Sequence, residues 1–173
     1  MSNTARGVIV RSARIGKGLF AERVFRPNQT ILKITGRMVH HSILWTTGGK
    51  LADNCYRFGP ETYLDPGDHV SRYVNHSCEP NAAVRKLNNQ LFLFAATEVS
   101  PGDEITFDYS TILGDDDIWT MRCKCGAQAC RGRIKRFGSL PVQVKERYLG
   151  AGLVPKFIIN TLDSSSASAT TRG

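Results

Sequence analysis

Apolar residues in this chain come in short runs of three to six, each closed by a Gly, Pro or Asn turn signal, which leaves little for long helices to be built on. Val8-Ile9-Val10 reads as a strand, Arg11 to Lys17 as a turn and Leu19-Phe20-Ala21 as a second extended run. Pro27-Asn28-Gln29 turns the chain again, and Thr30 to Val39 reads as one strand kinked or bulged at Gly36. Thr46-Thr47-Gly48-Gly49 reads as a loop tip. Tyr56-Arg57-Phe58 and Tyr63-Leu64-Asp65 form a hairpin-like pair around Gly59-Pro60, and Ala82-Ala83-Val84 pairs with Leu91 to Ala96 across Asn88-Asn89-Gln90. The expected fold is mainly β with few short helices. One such helix is expected over Leu140 to Leu149, with Pro141 in its first turn and Gly150 as its stop. Val154 to Ile159 reads as one more turn or strand, and the Ser/Ala/Thr run from Ser164 to Thr171 as disordered.

A chain of 173 residues, 41% hydrophobic and 22% charged, fits one domain with a modest core. No apolar run approaches the roughly 20 residues that span a bilayer, so no membrane partner is expected. Met1 to Val10 lacks the basic-then-apolar order of a secretory signal. The expected location is therefore cytoplasmic or nuclear (nucleoid), where thiols stay reduced. Five cysteines, an odd number, argue against a simple disulfide framework. The net charge of +8 suits acidic partners or nucleic acid. Its basic residues lie in short bursts such as Arg131 to Arg136, however, with no base-reading helix or aromatic stacking platform. Nucleic acid is expected only as a weak, non-specific contact. Nothing in the pattern specifies an oligomeric state.

Two stretches carry chemistry. Arg72-Tyr73-Val74-Asn75-His76-Ser77-Cys78-Glu79-Pro80-Asn81 gathers an apolar approach, a polar Asn-His-Ser-Cys cluster and a turn signal. On residue types alone it fits a structural turn with a buried cysteine as well as a polar cofactor site. Cys123-Lys124-Cys125-Gly126-Ala127-Gln128-Ala129-Cys130 supplies three thiolates within eight residues, whereas tetrahedral zinc wants four ligands. Cys55 reads as a small buried hydrophobe. Gly114-Asp115-Asp116-Asp117 is a short acidic linker, either a solvated loop or a face for a basic peptide.

These stretches, together with Gly102-Asp103-Glu104-Ile105-Thr106-Phe107-Asp108-Tyr109 and the opening Ile15-Gly16-Lys17-Gly18-Leu19-Phe20-Ala21, resemble the SET-domain protein lysine methyltransferases over roughly residues 8 to 135. The resemblance implies a SET fold of small β-sheets with a knot-like C-terminal threading and a zinc-stapled post-SET segment. Its expected boundaries are 1–113 for the SET domain with an insert at about 40–65, 114–121 for a linker, 122–137 for the zinc segment, 138–160 for a short helical segment and 161–173 for a disordered tail. Cys78 would join Cys123, Cys125 and Cys130 around a structural zinc.

The implied activity is methyl transfer from S-adenosylmethionine to a lysine of a basic protein, histone-like or ribosomal. Tyr109 would sit where the methyl moves, Tyr56 would line the lysine channel (or simply cover the core as a strand aromatic), and Phe107 would set the product state. Without a hydroxyl at Phe107, activity beyond monomethylation is expected. Asn75 and His76 would hold the cofactor with Lys17, Gly18, Leu19, Arg72 and Tyr109. Glu104 and Asp108 read as structural, and Phe137 and Leu140 as closing the channel. Two other readings are a catalytically silent SET-fold peptide-binding module and a basic zinc-stapled nucleic-acid binder. Intact Asn75, His76 and Tyr109 argue against the first.

Overall fold

Asn88 and Asn89, at φ 46° and 58°, supply the two left-handed residues that a tight β-hairpin turn demands. They join β8 (Ala82–Leu87) to β9 (Gln90–Ala95), with Leu87 opposite Gln90 and Ala82 opposite Ala95. The computed structural model describes residues 6–46 and 52–169. Of the expected loop tip, Thr47, Gly48 and Gly49 lie outside the described residues.

Strand residues outnumber helical ones, 32% against 23%, as the turn-rich pattern implies. β1 (Val8–Ser12) and β2 (Lys17–Ala21) form an antiparallel hairpin. β3 (Thr30–Ile34) pairs with β9, giving the sheet order β3-β9-β8. β4 (Arg37–His40), β5 (Tyr56–Arg57) and β6 (Thr62–Asp65) make a second three-stranded sheet, with α1 (His41–Thr46) following β4. β7 (Asn75–His76) and β10 (Thr106–Phe107) pair in parallel. β11 (Met121–Arg122) and β12 (Arg133–Ile134) pair antiparallel on either side of Cys123, Cys125 and Cys130.

Gly36 separates two strands where a single kinked one was expected. β3 and β4 belong to different sheets, and the chain between them runs so close to β6 that a Cβ on Gly36 would stand 2.0 Å from the Asp65 carbonyl oxygen. Only glycine fits that approach.

The main core joins the first hairpin, the β3-β9-β8 sheet and the β7-β10 pair through Leu19, Phe25, Ile34, Leu91, Leu93 and Ile105, all fully buried. Each such side chain contributes on the order of 1.5–3 kcal/mol. A second core of Phe137, Leu140, Tyr148, Val154 and Ile158 holds α2 (Val142–Gly150) and α3 (Lys156–Ala169). α2 begins two residues later than expected, with Pro141 as its N-cap, and includes Gly150; the left-handed residue that closes it is Gly152. α3 corrects two expectations: Val154 to Ile159 leads into a helix, and that helix runs into the stretch expected to be disordered. Composition drew attention to the serines, whereas Phe157, Ile158 and Leu162 repeat at helical spacing and pack on the second core. Residues 170–173 lie outside the described residues.

Candidate active site

The parallel pairing of β7 with β10 brings two distant sequence motifs together, Asn75 beside Thr106 and His76 beside Phe107. The chain then enters a 3-10 turn, Tyr109–Ile112, capped by Asp108, whose carboxylate accepts from the Ser110 amide. The Tyr109 amide donates to His76 Nδ1 at 3.2 Å, and its hydroxyl donates to the Val74 carbonyl at 2.7 Å. Burial, reinforced by the charges of Glu104 and Asp53, holds the Tyr109 hydroxyl well above the ordinary phenol range. It keeps its proton at neutral pH and acts as a fixed donor.

Tyr109 lines two cavities. The narrower, of about 40 Å³, is walled by aromatic rings. Tyr56 stacks on Phe107 at 5.6 Å and 20°, Phe107 lies 4.8 Å from Tyr109, and Trp119 lies 6.3 Å from Tyr109 on its other side of the sequence. The Tyr56 hydroxyl donates to the Ser71 carbonyl at 2.7 Å, and the Trp119 indole donates to Asp53 at 2.9 Å. Arg72 belongs to this wall and pairs with Asp68 at 3.3 Å.

The second cavity, of about 370 Å³, is bounded by Asn75, His76, Ser77 and Tyr109, by Arg14 and Ile15 of the first hairpin's turn, and by the residues from Met121 to Cys125. Asn75 Nδ2 donates to the Lys17 carbonyl at 3.0 Å and to Glu104 at 2.6 Å. Gly18 makes room for that contact, since a Cβ there would meet Glu104 Oε1 at 2.4 Å. Leu19 faces the main core, and the Lys17 ammonium lies over the Tyr73 ring at 5.9 Å. Asn75, His76 and Tyr109 thus line this cavity directly, while Lys17, Gly18 and Leu19 shape the strand behind it. The basic side chains around it are Arg14, Arg122 and Lys124. Sequence reasoning passed over these three; their only signal was adjacency to the Gly-Lys-Gly turn and to Cys123.

Beside Tyr109, the ligand atoms of His76, Cys78, Cys123 and Cys125 all lie within 4.8 Å of one another. Cys123 Sγ is 3.8 Å from Cys78 Sγ and 3.6 Å from Cys130 Sγ. Tetrahedral zinc–thiolate geometry, with Zn–S near 2.3 Å, calls for sulfurs about 3.8 Å apart. The donor set therefore suits zinc, with one residue more than four sites need. Burial holds the His76 ring neutral, bringing its pKa down to about 4. Since Nδ1 accepts from Tyr109, the ring proton sits on Nε2, which points at Cys78 Sγ at 3.4 Å. With its proton on Nε2, His76 is placed to donate to the Cys78 sulfur, and Cys130, 3.6 Å from Cys123 Sγ, adds a fourth sulfur beside this group. Cys55 stands apart in the wall of the aromatic cavity, its thiol pushed up to about 12 chiefly by burial.

The acidic linker is not a free face. Asp116 and Asp117 both hold the guanidinium of Arg57, the Tyr63 hydroxyl donates to Asp117, and Asp115 sits against Arg136. Phe137 and Leu140, expected to close the channel, pack in the second core instead.

A family model described as the SET domain matches residues 16–110, and the chain belongs to the SET-domain family. Relatives include histone-lysine N-methyltransferase 2B of Homo sapiens, 31% identical over 71% of this chain and 5% of that protein. The putative histone-lysine N-methyltransferase ASHH4 of Arabidopsis thaliana is 26% identical over 85% of this chain and 44% of its own length. The histone-lysine N-methyltransferase Set2 of Drosophila melanogaster is 30% identical over 73% and 6%. The chain spans less than half the length of each. Among solved structures, KRYPTONITE in complex with mCHH DNA, H3(1-15) peptide and SAH superposes with a TM-score of 0.58 at 26% identity, covering 74% of this chain and 29% of that one. Among the described residues, no helix is long and apolar enough to cross a membrane.

Proposed function

We propose that this chain is an S-adenosylmethionine-dependent protein lysine N-methyltransferase acting on a basic protein, histone-like or ribosomal. The observation that carries the reading is that Tyr109 lies in the walls of both a narrow aromatic cavity and a larger polar one. A lysine side chain fits the first and the cofactor the second. The names of the relatives, and the H3 peptide and SAH held by the structural neighbour, support it.

S-adenosylmethionine supplies, when bound, a methyl group activated on a sulfonium. Asn75 and His76 of β7 and the following Ser77 would hold it, with Arg14, Arg122 and Lys124 available to its carboxylate. The remaining task falls to the protein. A lysine needs a neutral nitrogen to attack, yet its usual pKa is about 10.4. Tyr56, Phe107, Tyr109 and Trp119 enclose the amine in an apolar wall, which disfavours the ammonium form by desolvation. The Tyr109 hydroxyl keeps its proton and so orients rather than deprotonates. Catalysis then rests mainly on alignment, an effect that can be worth about 7–11 kcal/mol.

Zinc held by Cys78, Cys123, Cys125 and Cys130 would have no open coordination position and a structural role. On the order of 10 kcal/mol of binding free energy would go into ordering the segment that walls the cofactor cavity. Phe107, lacking a hydroxyl, leaves space for a methylated amine, so the product extends beyond monomethyllysine. Residues 1–113 would form the catalytic SET unit and 122–137 its zinc closure, working inside the cell, in cytoplasm or nucleus (nucleoid). Incubating the zinc-loaded protein with S-adenosylmethionine and purified histones and ribosomal proteins, followed by mass spectrometry, tests the reading. Methylated lysines are expected; absence of cofactor binding and of any transfer would overturn it.

A further inference from the structure

The carboxylate of Asp108, next in the chain to Tyr109, is completely buried. Its Oδ1 accepts from the Ser110 amide at 3.0 Å, and its Oδ2 accepts from Arg131 at 2.5 Å and from the Tyr148 hydroxyl at 2.9 Å. Asp108 Oδ1 also lies 3.4 Å from His76 Nδ1, but that nitrogen is already the acceptor for the Tyr109 amide. Buried carboxylates need their lone pairs met by donors, and here three donors come from three separate parts of the chain. Ser110 is local. Arg131 follows Cys130 in the zinc segment. Tyr148 belongs to α2, outside the residues that the family model matches.

Tyr148 is 1% exposed, and its ring packs among Phe137, Leu140, Val154 and Ile158, so the second core aims its hydroxyl. That hydroxyl also reaches the Cys78 carbonyl at 3.2 Å, touching the backbone of a zinc ligand. We propose that Tyr148 is a positioning residue: α2 and the second core hold Asp108 through it, and Asp108 in turn fixes the backbone that carries Tyr109. The C-terminal helices are then a buttress for the transfer site. The kinetic consequence rests on the methyltransferase reading, whereas the structural coupling does not.

The test uses the full chain with zinc and compares the wild type with Tyr148→Phe, which keeps the ring and removes one oxygen, and with Leu93→Ala, which weakens the main core elsewhere. Amide hydrogen exchange resolved by NMR reads the coupling. In Tyr148→Phe the Tyr109 amide exchanges about tenfold faster, the scale of one hydrogen bond to a charged acceptor, while the amides of β3 and β9 stay as in the wild type. In Leu93→Ala the Tyr109 amide moves only in step with β3 and β9. Val154→Ala, which loosens the second core but keeps the hydroxyl, shifts the Tyr109 amide in the same direction by less, and answers the question if Tyr148→Phe does not fold. With a methylated acceptor in hand, kcat falls about tenfold in Tyr148→Phe and the KM for S-adenosylmethionine changes by less than about twofold. Tyr109 exchange that follows the core amides in Tyr148→Phe and in Val154→Ala overturns the proposal. A wild type that transfers no methyl overturns the functional reading instead, and the exchange comparison still decides this one.

Discussion

Arg57 and Asp117 form an ion pair in which each side chain is only 1% exposed, with 2.5 Å between their nearest atoms. The guanidinium also reaches Asp116 and the carbonyls of Gly59 and Pro60. This contact stitches β5 to the linker after the Tyr109 turn, and both partners belong to the wall of the aromatic cavity. Gly114 is part of it, since a Cβ there would come within 2.4 Å of Arg57 Nη1.

Replacing one partner strands the other. Arg57→Met leaves Asp117 buried without its cation, and urea unfolding is expected to lose about 3–5 kcal/mol of stability. The double variant Arg57→Met with Asp117→Leu, which removes both charges, recovers most of that loss.

Acid should weaken the same anchor through Asp116, which is held below its usual 3.8 chiefly by its hydrogen bonds with Arg57. A carboxylate whose folded pKa lies below its unfolded one contributes stability that is fully present above 3.8 and fades as pH falls through the lower, folded value. The stability gap between wild type and Asp116→Asn is therefore expected in full at about pH 6 and to shrink as the pH is taken down through the folded value. A gap that persists unchanged in acid contradicts the assignment.

Zinc removal should act on the cofactor cavity before it acts on the core. Chelation frees Met121 to Cys125, so cofactor affinity measured by calorimetry falls at least tenfold while the far-UV spectrum of the β3-β9-β8 sheet persists. Metal analysis separates the two candidate fourth ligands. Cys130→Ser loses bound zinc, whereas His76→Gln retains it, because the histidine donates to Cys78 rather than ligating.

Phe107→Tyr adds a hydroxyl between the stacked ring of Tyr56 and that of Tyr109. The oxygen and the water it recruits take the room of a methyl group, so the products shift toward monomethyllysine while total turnover changes by less than about tenfold. Peptide mass spectrometry reads the distribution; an unchanged one contradicts the role given to Phe107.

Local signals carried most of the fold into view. The Asn88-Asn89 turn, the alternation around Gly59-Pro60 and the cysteine spacing each concern neighbours in sequence, and each is found in the structure. What escaped depended on contacts between distant segments. Gly36 looked like a bulge because the approach of Asp65 cannot be read from Thr30 to Val39. Arg57 looked like one more strand residue, and Asp116 and Asp117 like solvated linker, because their pairing spans some sixty positions. Arg72, expected to meet the cofactor carboxylate, lines the wall of the aromatic cavity and pairs with Asp68. Arg14, Arg122 and Lys124 carry no motif of their own and meet only when the cysteine-rich segment folds against the first hairpin. Asn75, His76 and Tyr109 were legible because a resemblance, and no local rule, joined their two motifs.

The most direct test of the account compares wild type with Tyr109→Phe for two quantities: S-adenosylmethionine affinity by calorimetry and methyl transfer to a basic protein by mass spectrometry. The account predicts affinity within about threefold and transfer reduced by at least about a hundredfold, since one oriented hydroxyl is lost from a cavity wall that otherwise stays whole. Transfer that continues at the wild-type rate in Tyr109→Phe would contradict it.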